Sequence, residues 1–149
     1  MTIPTNATKT AKMIRTDNTF EIIHSKKPKD WDYEFSDFVY EELTNNKVFV
    51  TNLGKCTQVD ARALSDEVLK KYLLLLFKEI EIIKPKVIIT FGNQVSSIVL
   101  NKKISVSENR KVCHELKIGK NKYKVYSAYY PVGNGIFNID KSIEDINWI

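Results

Sequence analysis

The sequence has only two cysteines, Cys56 and Cys113, in 149 residues. Two thiols cannot build the disulfide framework of a secreted domain, so a reducing cytoplasm is the expected compartment. No apolar run approaches the ~18–20 residues of a membrane span; the longest, from Leu73 to Phe77, is five residues. The first thirteen residues, MTIPTNATKTAKM, have no apolar stretch of the kind a secretory signal needs. Glycine is scarce at five residues, and none precedes Gly54. Charge of one sign is also lacking overall, with 23 Lys or Arg against 18 Asp or Glu and a net charge of +5. The chain is nevertheless 43% hydrophobic and 28% charged, which suits one folded domain and argues against wholesale disorder.

The charge is unevenly distributed. Residues 101–126 hold eight Lys or Arg against two Glu, a net of +6, which leaves −1 for the remainder. A basic stretch on a near-neutral body suits a polyanion, because Lys or Arg beside a phosphate releases condensed counterion. A solvated hairpin with lysines on its outer face has the same composition, and charge alone does not choose between them.

Residues 1–18 are rich in Thr, Asn and Lys without periodicity and read as an arm, with residues 19–149 as a single domain. Thr19 to His24 reads as a short strand. Asp30 is a plausible cap for a helix through Trp31, Phe35, Phe38, Val39 and Leu43. Lys47 to Asn52 is short, β-branched and bounded by Asn-Asn and Gly54, so it reads as a buried strand. Ser65 caps a long helix over 65–84, with Leu69, Tyr72, Leu73, Leu76, Ile80 and Ile83 on one face and Pro85 just beyond. Lys86 to Phe91 reads as a second buried strand and Asn93 to Leu100 as a short helix. Lys111 to Ile118 and Lys122 to Tyr130 flank a turn at Gly119-Lys120-Asn121, and residues 139–149 suggest one further helical turn carrying Trp148. Strands alternating with helices predict an α/β fold with a mainly parallel sheet covered on both faces. Ligands of such sheets bind beyond the carboxyl ends of the strands, here Asn52 to Lys55, Phe91 to Gln94 and Tyr129 to Asn134.

Three stretches occur in a telling order: VFVTNLGKC at 48–56, LLLLFKEIEIIKPKVIITFG at 73–92, and RKVCHELKIGKNKYKVYSAYYP at 110–131. Together, over about residues 31–135, they resemble the uracil-DNA glycosylase superfamily, in particular its bacterial and archaeal branch that often carries an iron–sulfur cluster. The resemblance implies a three-layer α/β/α fold whose opening strand is absent or diverged. It also implies an enzyme that flips a deaminated base out of DNA and hydrolyses its N-glycosidic bond. Such an enzyme needs a pocket that reads the base's pairing edge, a positive surface for the backbone, and a wedge.

Asn52 matches the family's base-reading Asn; its amide, one acceptor and two donors, suits N3–H and O4 of uracil. An Asn capping the turn after a strand is the structural alternative. Phe49 joins Asn52 as base-binding. Tyr130-Pro131-Val132 stands where the family has His-Pro-Ser, so Tyr130, with Asn134, takes the catalytic position, and a Tyr hydroxyl can donate to O2 of the leaving base. Lys55, Gly92, Asn93, Gly133 and Gly135 are expected at the DNA backbone, with Ile136 or Phe137 as wedge. A Gly-rich first motif is missing; Glu21 to Ser25 is the nearest substitute. Cys56 falls at a cluster-ligand position, but the next falls at Tyr72, and a cubane needs four thiolates. Cys113-His114 is a poor metal site, since adjacent strand residues face opposite ways. The expectation is therefore no metal, no cofactor, DNA (uracil-containing or single-stranded) as partner, no membrane, and a monomer. A second possibility keeps the fold but not the chemistry, as a nucleic-acid- or nucleotide-binding module.

Overall fold

A computed structural model of the chain describes residues 32–56, 63–130 and 137–149. The expected arm, the strand at Thr19 to His24, the Asp30 cap, Trp31, and residues 131–136 lie outside them. The chain divides into two compact units, residues 1–51 with 130–149, and residues 52–129.

In the first unit, helix α1 (Tyr33–Asn45) is capped by Asp32, whose carboxylate accepts from the Phe35 N–H at 2.8 Å. Phe35 and Val39 form its buried face, with Phe38 and Leu43 packed alongside. The helix ends where Lys47, at φ 56°, reverses the chain and Val48 N–H returns to the Leu43 carbonyl. Residues 48–51 then form no strand, contrary to the reading of Lys47 to Asn52 as a buried one. Phe49 is 58% exposed and Val50 45%. Helix α5 (Ile139–Trp148) closes the unit and is longer than the single turn expected.

The second unit is mixed α/β. Ser65 caps α2 (Asp66–Lys71) through Val68 N–H, as its sequence position predicts. The long helix is not continuous, because Tyr72 interrupts it and α3 (Leu73–Ile83) starts afresh. At the break Tyr72 N–H turns back to Leu69, a tighter three-residue spacing. The apolar stripe nevertheless continues across the break: Leu69 and Ile80 are buried and Leu73 and Leu76 pack against the same core, whereas Ile83, expected on that face, is exposed. β1 (Val87–Phe91) leads into α4 (Asn93–Leu100), and a hairpin follows, β2 (His114–Ile118) and β3 (Asn121–Ala128).

The described strands lie in the order β1-β3-β2, with β1 parallel and β2 antiparallel to β3. The sheet is thus mixed rather than mainly parallel, since a hairpin partner beside β3 must run the other way. Alternation along β3 puts Tyr123, Val125 and Ser127 on the covered face and Lys122 and Lys124 on the other. Val125 and Tyr123 join Leu116, Ile118, Leu69, Ile80, Ile98 and Val99 in one core, to which Leu53 is added from the segment before α2.

Candidate functional site

Asn52 sits at the start of an irregular segment rather than at a strand end, and its side chain is exposed. What fixes it is the three residues that follow. Leu53, 5% exposed, is buried in the core with Leu69 and Ile80. Gly54 lies so close beneath Leu64 and Leu69 that a Cβ there would press into both side chains. Lys55 reaches α3, where its ammonium is 2.9 Å from each carboxylate oxygen of Glu79. The pair is about three-quarters shielded at both ends, which makes it firmer than an open surface bridge. An apolar peg, a close backbone approach and an ion pair therefore hold this loop within three residues of the exposed amide. Lys55, expected at the DNA backbone, is ion-paired with Glu79.

The carboxyl end of β1 is built with equal care. Gly92, at φ 85°, turns the chain from strand to helix in a region that side chains avoid, and its N–H donates to the Ala128 carbonyl at 2.8 Å. Beneath this turn three hydroxyls are buried together. Thr90 Oγ1 donates to the Tyr126 carbonyl at 3.3 Å and lies 2.8 Å from Ser96 Oγ and 3.4 Å from Ser127 Oγ. With its own proton given to Tyr126, Thr90 has two lone pairs to accept from the two serines, so all three are satisfied. The cluster ties β1, β3 and the first turns of α4 to one another.

In that first turn Asn93 Oδ1 accepts from Val106 N–H at 2.8 Å, so the side chain braces the 3₁₀ turn Val106–Glu108. Gln94 donates to the Leu64 carbonyl at 3.0 Å and to Asp66 Oδ1 at 2.8 Å. Leu64 is thus shared: its side chain covers Gly54 and its carbonyl is held by Gln94. Through it the Asn52 segment and the Gly92–Gln94 turn are anchored to the same residue. Sequence reasoning placed Gln94 at a strand end without its partners Leu64 and Asp66, and it missed Glu79 and the Thr90 cluster. A polar pair directly after a strand-ending glycine was the available sign for Gln94, but Glu79, 24 residues from Lys55, left none.

Of the other expected site residues, Phe49 and Tyr130 belong to the first unit, and Gly133, Asn134, Gly135 and Ile136 lie outside the described residues. Tyr130 is 42% exposed, and partial burial raises its hydroxyl above the usual phenol range. It is therefore a proton-bearing donor at neutral pH. Phe137, the alternative wedge, is 86% exposed.

Cys56 and Cys113 are free and exposed, and each has a tyrosine beside it. A hydrogen bond with Cys56 raises the Tyr72 pKa, and one with Cys113 does the same for Tyr126. Tyr72 thus stands beside Cys56 where a second cluster thiolate would be required. Phenol, one thiol and no group of three His, Cys, Asp or Glu among the described residues do not make a cluster's donor set. His114 carries a lowered pKa, from burial and from Lys102, whose ammonium is 3.0 Å from Nδ1. Among the described residues no helix is long and apolar enough to cross a membrane.

The sequence pattern of the uracil DNA glycosylase superfamily matches residues 17–135. No curated protein matches the chain.

Proposed function

Because the chain belongs to the uracil DNA glycosylase superfamily, we propose that it hydrolyses the N-glycosidic bond of a flipped uracil or other deaminated base in DNA, as a cytoplasmic monomer. The observation that carries this reading is Asn52, an exposed amide displayed by a segment that Leu53, Gly54 and Lys55 fix in place. Recognition by a single side chain demands such fixing, since ordering a loosely held amide costs entropy that offsets the gain from pairing.

The residue roles follow from the chemistry of the leaving base. Asn52 accepts from N3–H and donates to O4, a pattern that uracil offers and cytosine does not. As the C1′–N1 bond breaks, negative charge spreads onto O2 and O4, and the protonated Tyr130 hydroxyl donates to O2. Water supplies the oxygen that bonds to C1′, and the base departs to be protonated. Asn134 takes the second catalytic position by resemblance alone. Gly92 and Asn93 form the turn at the strand end where the backbone passes. The same reading makes residues 19–149 one three-layer domain in which β1 and β3 supply a parallel pair.

A second reading, a nucleic-acid-binding module without turnover, is favoured by the absence of any glycine before Gly54 and hence of a Gly-rich first motif. Oligonucleotides carrying one uracil, single- and double-stranded, decide between them. Incubated with stoichiometric protein and then treated with alkali, they should break at the uracil position. Intact strands would contradict the enzymatic reading, and retained binding with a steep salt dependence would then favour the second.

A further inference from the structure

The β2–β3 hairpin presents an arrangement that folding alone does not reward. The register sets Lys117 directly opposite Lys122 and Glu115 opposite Lys124. All four side chains are exposed on the same face, with Lys120 in the turn beyond them. Lys122 reaches Glu115 at 2.8 Å, which spends the single acid among the strand residues of that face. Lys117 is left opposite a like charge, and Lys124 has to share Glu115 with Lys122. Directly opposed like charges destabilise an antiparallel pair, whose Cβ atoms stand only ~4.5–5.5 Å apart. Glu115 offsets part of this repulsion through Lys122, and a further anion across Lys117 would offset the rest.

The position of this face matters as much as its charge. β3 begins at the hairpin turn and ends at Ala128, which pairs with Phe91 at the carboxyl end of β1. Lys122 is six residues before Ala128, a separation of ~20 Å along the strand at ~3.3 Å per residue. The lysines therefore lie at the opposite end of the sheet from the Gly92 turn. B-DNA advances ~3.4 Å per nucleotide of one strand, so ~20 Å corresponds to about six base pairs.

We infer that the outer face of the β2–β3 hairpin, through Lys117, Lys122 and Lys124, is a second contact surface for the phosphate backbone of DNA, about six base pairs along from the Gly92 turn. It rests on the reading of the protein as a DNA glycosylase, but it acts on backbone rather than base and needs no uracil. The contact holds flanking DNA by charge and leaves base recognition to Asn52.

The test uses the full chain, fluorescence anisotropy, and uracil-free duplexes of about 6 and about 20 base pairs at several salt concentrations. Lys117→Gln is the decisive variant, because it removes a repelled charge and leaves the Lys122–Glu115 pair intact. Its melting temperature should hold or rise, while binding to the long duplex weakens roughly tenfold at about 50 mM salt. For Lys117→Gln with Lys124→Gln, the slope of log K against log salt should shrink by about 1.8. The short duplex, which can still bind at the Gly92 end alone, should lose less than the long one. Unchanged affinity and slope on the long duplex, or equal losses on both duplexes, would overturn the inference. Excision of uracil is read separately on the same variants. Activity without any lysine effect sinks this surface alone, and a lysine effect without excision sinks the enzymatic reading alone.

Discussion

Residues 48–51 and 87–91 are close in composition, Val-Phe-Val-Thr against Val-Ile-Ile-Thr-Phe, yet only the second is a strand. β1 has β3 beside it in continuous register, from Val87 opposite Lys124 to Phe91 opposite Ala128. The earlier segment has no strand pairing among the described residues, and Phe49 and Val50 stand in solvent. β-branched composition supplies a tendency, and a ladder partner with a surface to cover decides whether it is realised. The comparison also shows two ways of holding a candidate site position. The Gly92 turn is held by sheet and helix, whereas Asn52 is held by three side-chain and backbone anchors in a row.

The largest effect should come from removing the anchor next to Asn52. Leu53→Ala deletes a buried side chain from the core and should cost ~2–5 kcal/mol, read from urea unfolding. A loss comparable to a surface substitution would mean that the segment is not pegged at all. At the other region, Thr90→Val keeps the shape but removes the acceptor of two buried serine hydroxyls. A cost of about 1–3 kcal/mol is expected by the same measurement.

Lys55→Met should cost at most about 1 kcal/mol, because the ion pair with Glu79 is only partly shielded. Its effect should instead appear in uracil excision, lowered per folded molecule as the Asn52 loop loosens. Excision reduced only at high salt or with short DNA would point to a backbone contact instead. Smallest of all, Phe49→Ala should change stability by less than about 0.5 kcal/mol, as an exposed side chain does. A larger loss would place Phe49 in a strand-like packing that its exposure contradicts.

Much of the second unit was legible because its signals are local. The Gly119 turn needs φ +57°, the Ser65 cap precedes two acids, and KVIITF ends at Gly92. The failures share a cause, which is dependence on residues far along the chain. Val48 to Thr51 looked like a strand because whether a segment joins a ladder among the described residues leaves no mark in the segment itself. The break at Tyr72 was hidden because Leu73 to Leu76 are good helix formers on either reading, although the inward face of Leu69, Leu73, Leu76 and Ile80 was legible. For the candidate site, Asn52 could be named from motif order, and Gly92 and Asn93 from the end of a strand. That Lys55 is held by Glu79 and that Gln94 clamps Leu64 came only with the fold.

Asn52→Asp tests the central claim most directly. It replaces two amide donors by a carboxylate that only accepts, so it faces uracil O4 with a like partner in place of a hydrogen bond. If Asn52 reads the base, excision from a uracil oligonucleotide should fall by at least roughly tenfold, the equivalent of about 1–3 kcal/mol. Relative preference should move toward cytosine, while the melting temperature stays within a degree or so of the parent. A sharp fall in melting temperature with excision per folded molecule retained would contradict the account and assign Asn52 to the turn.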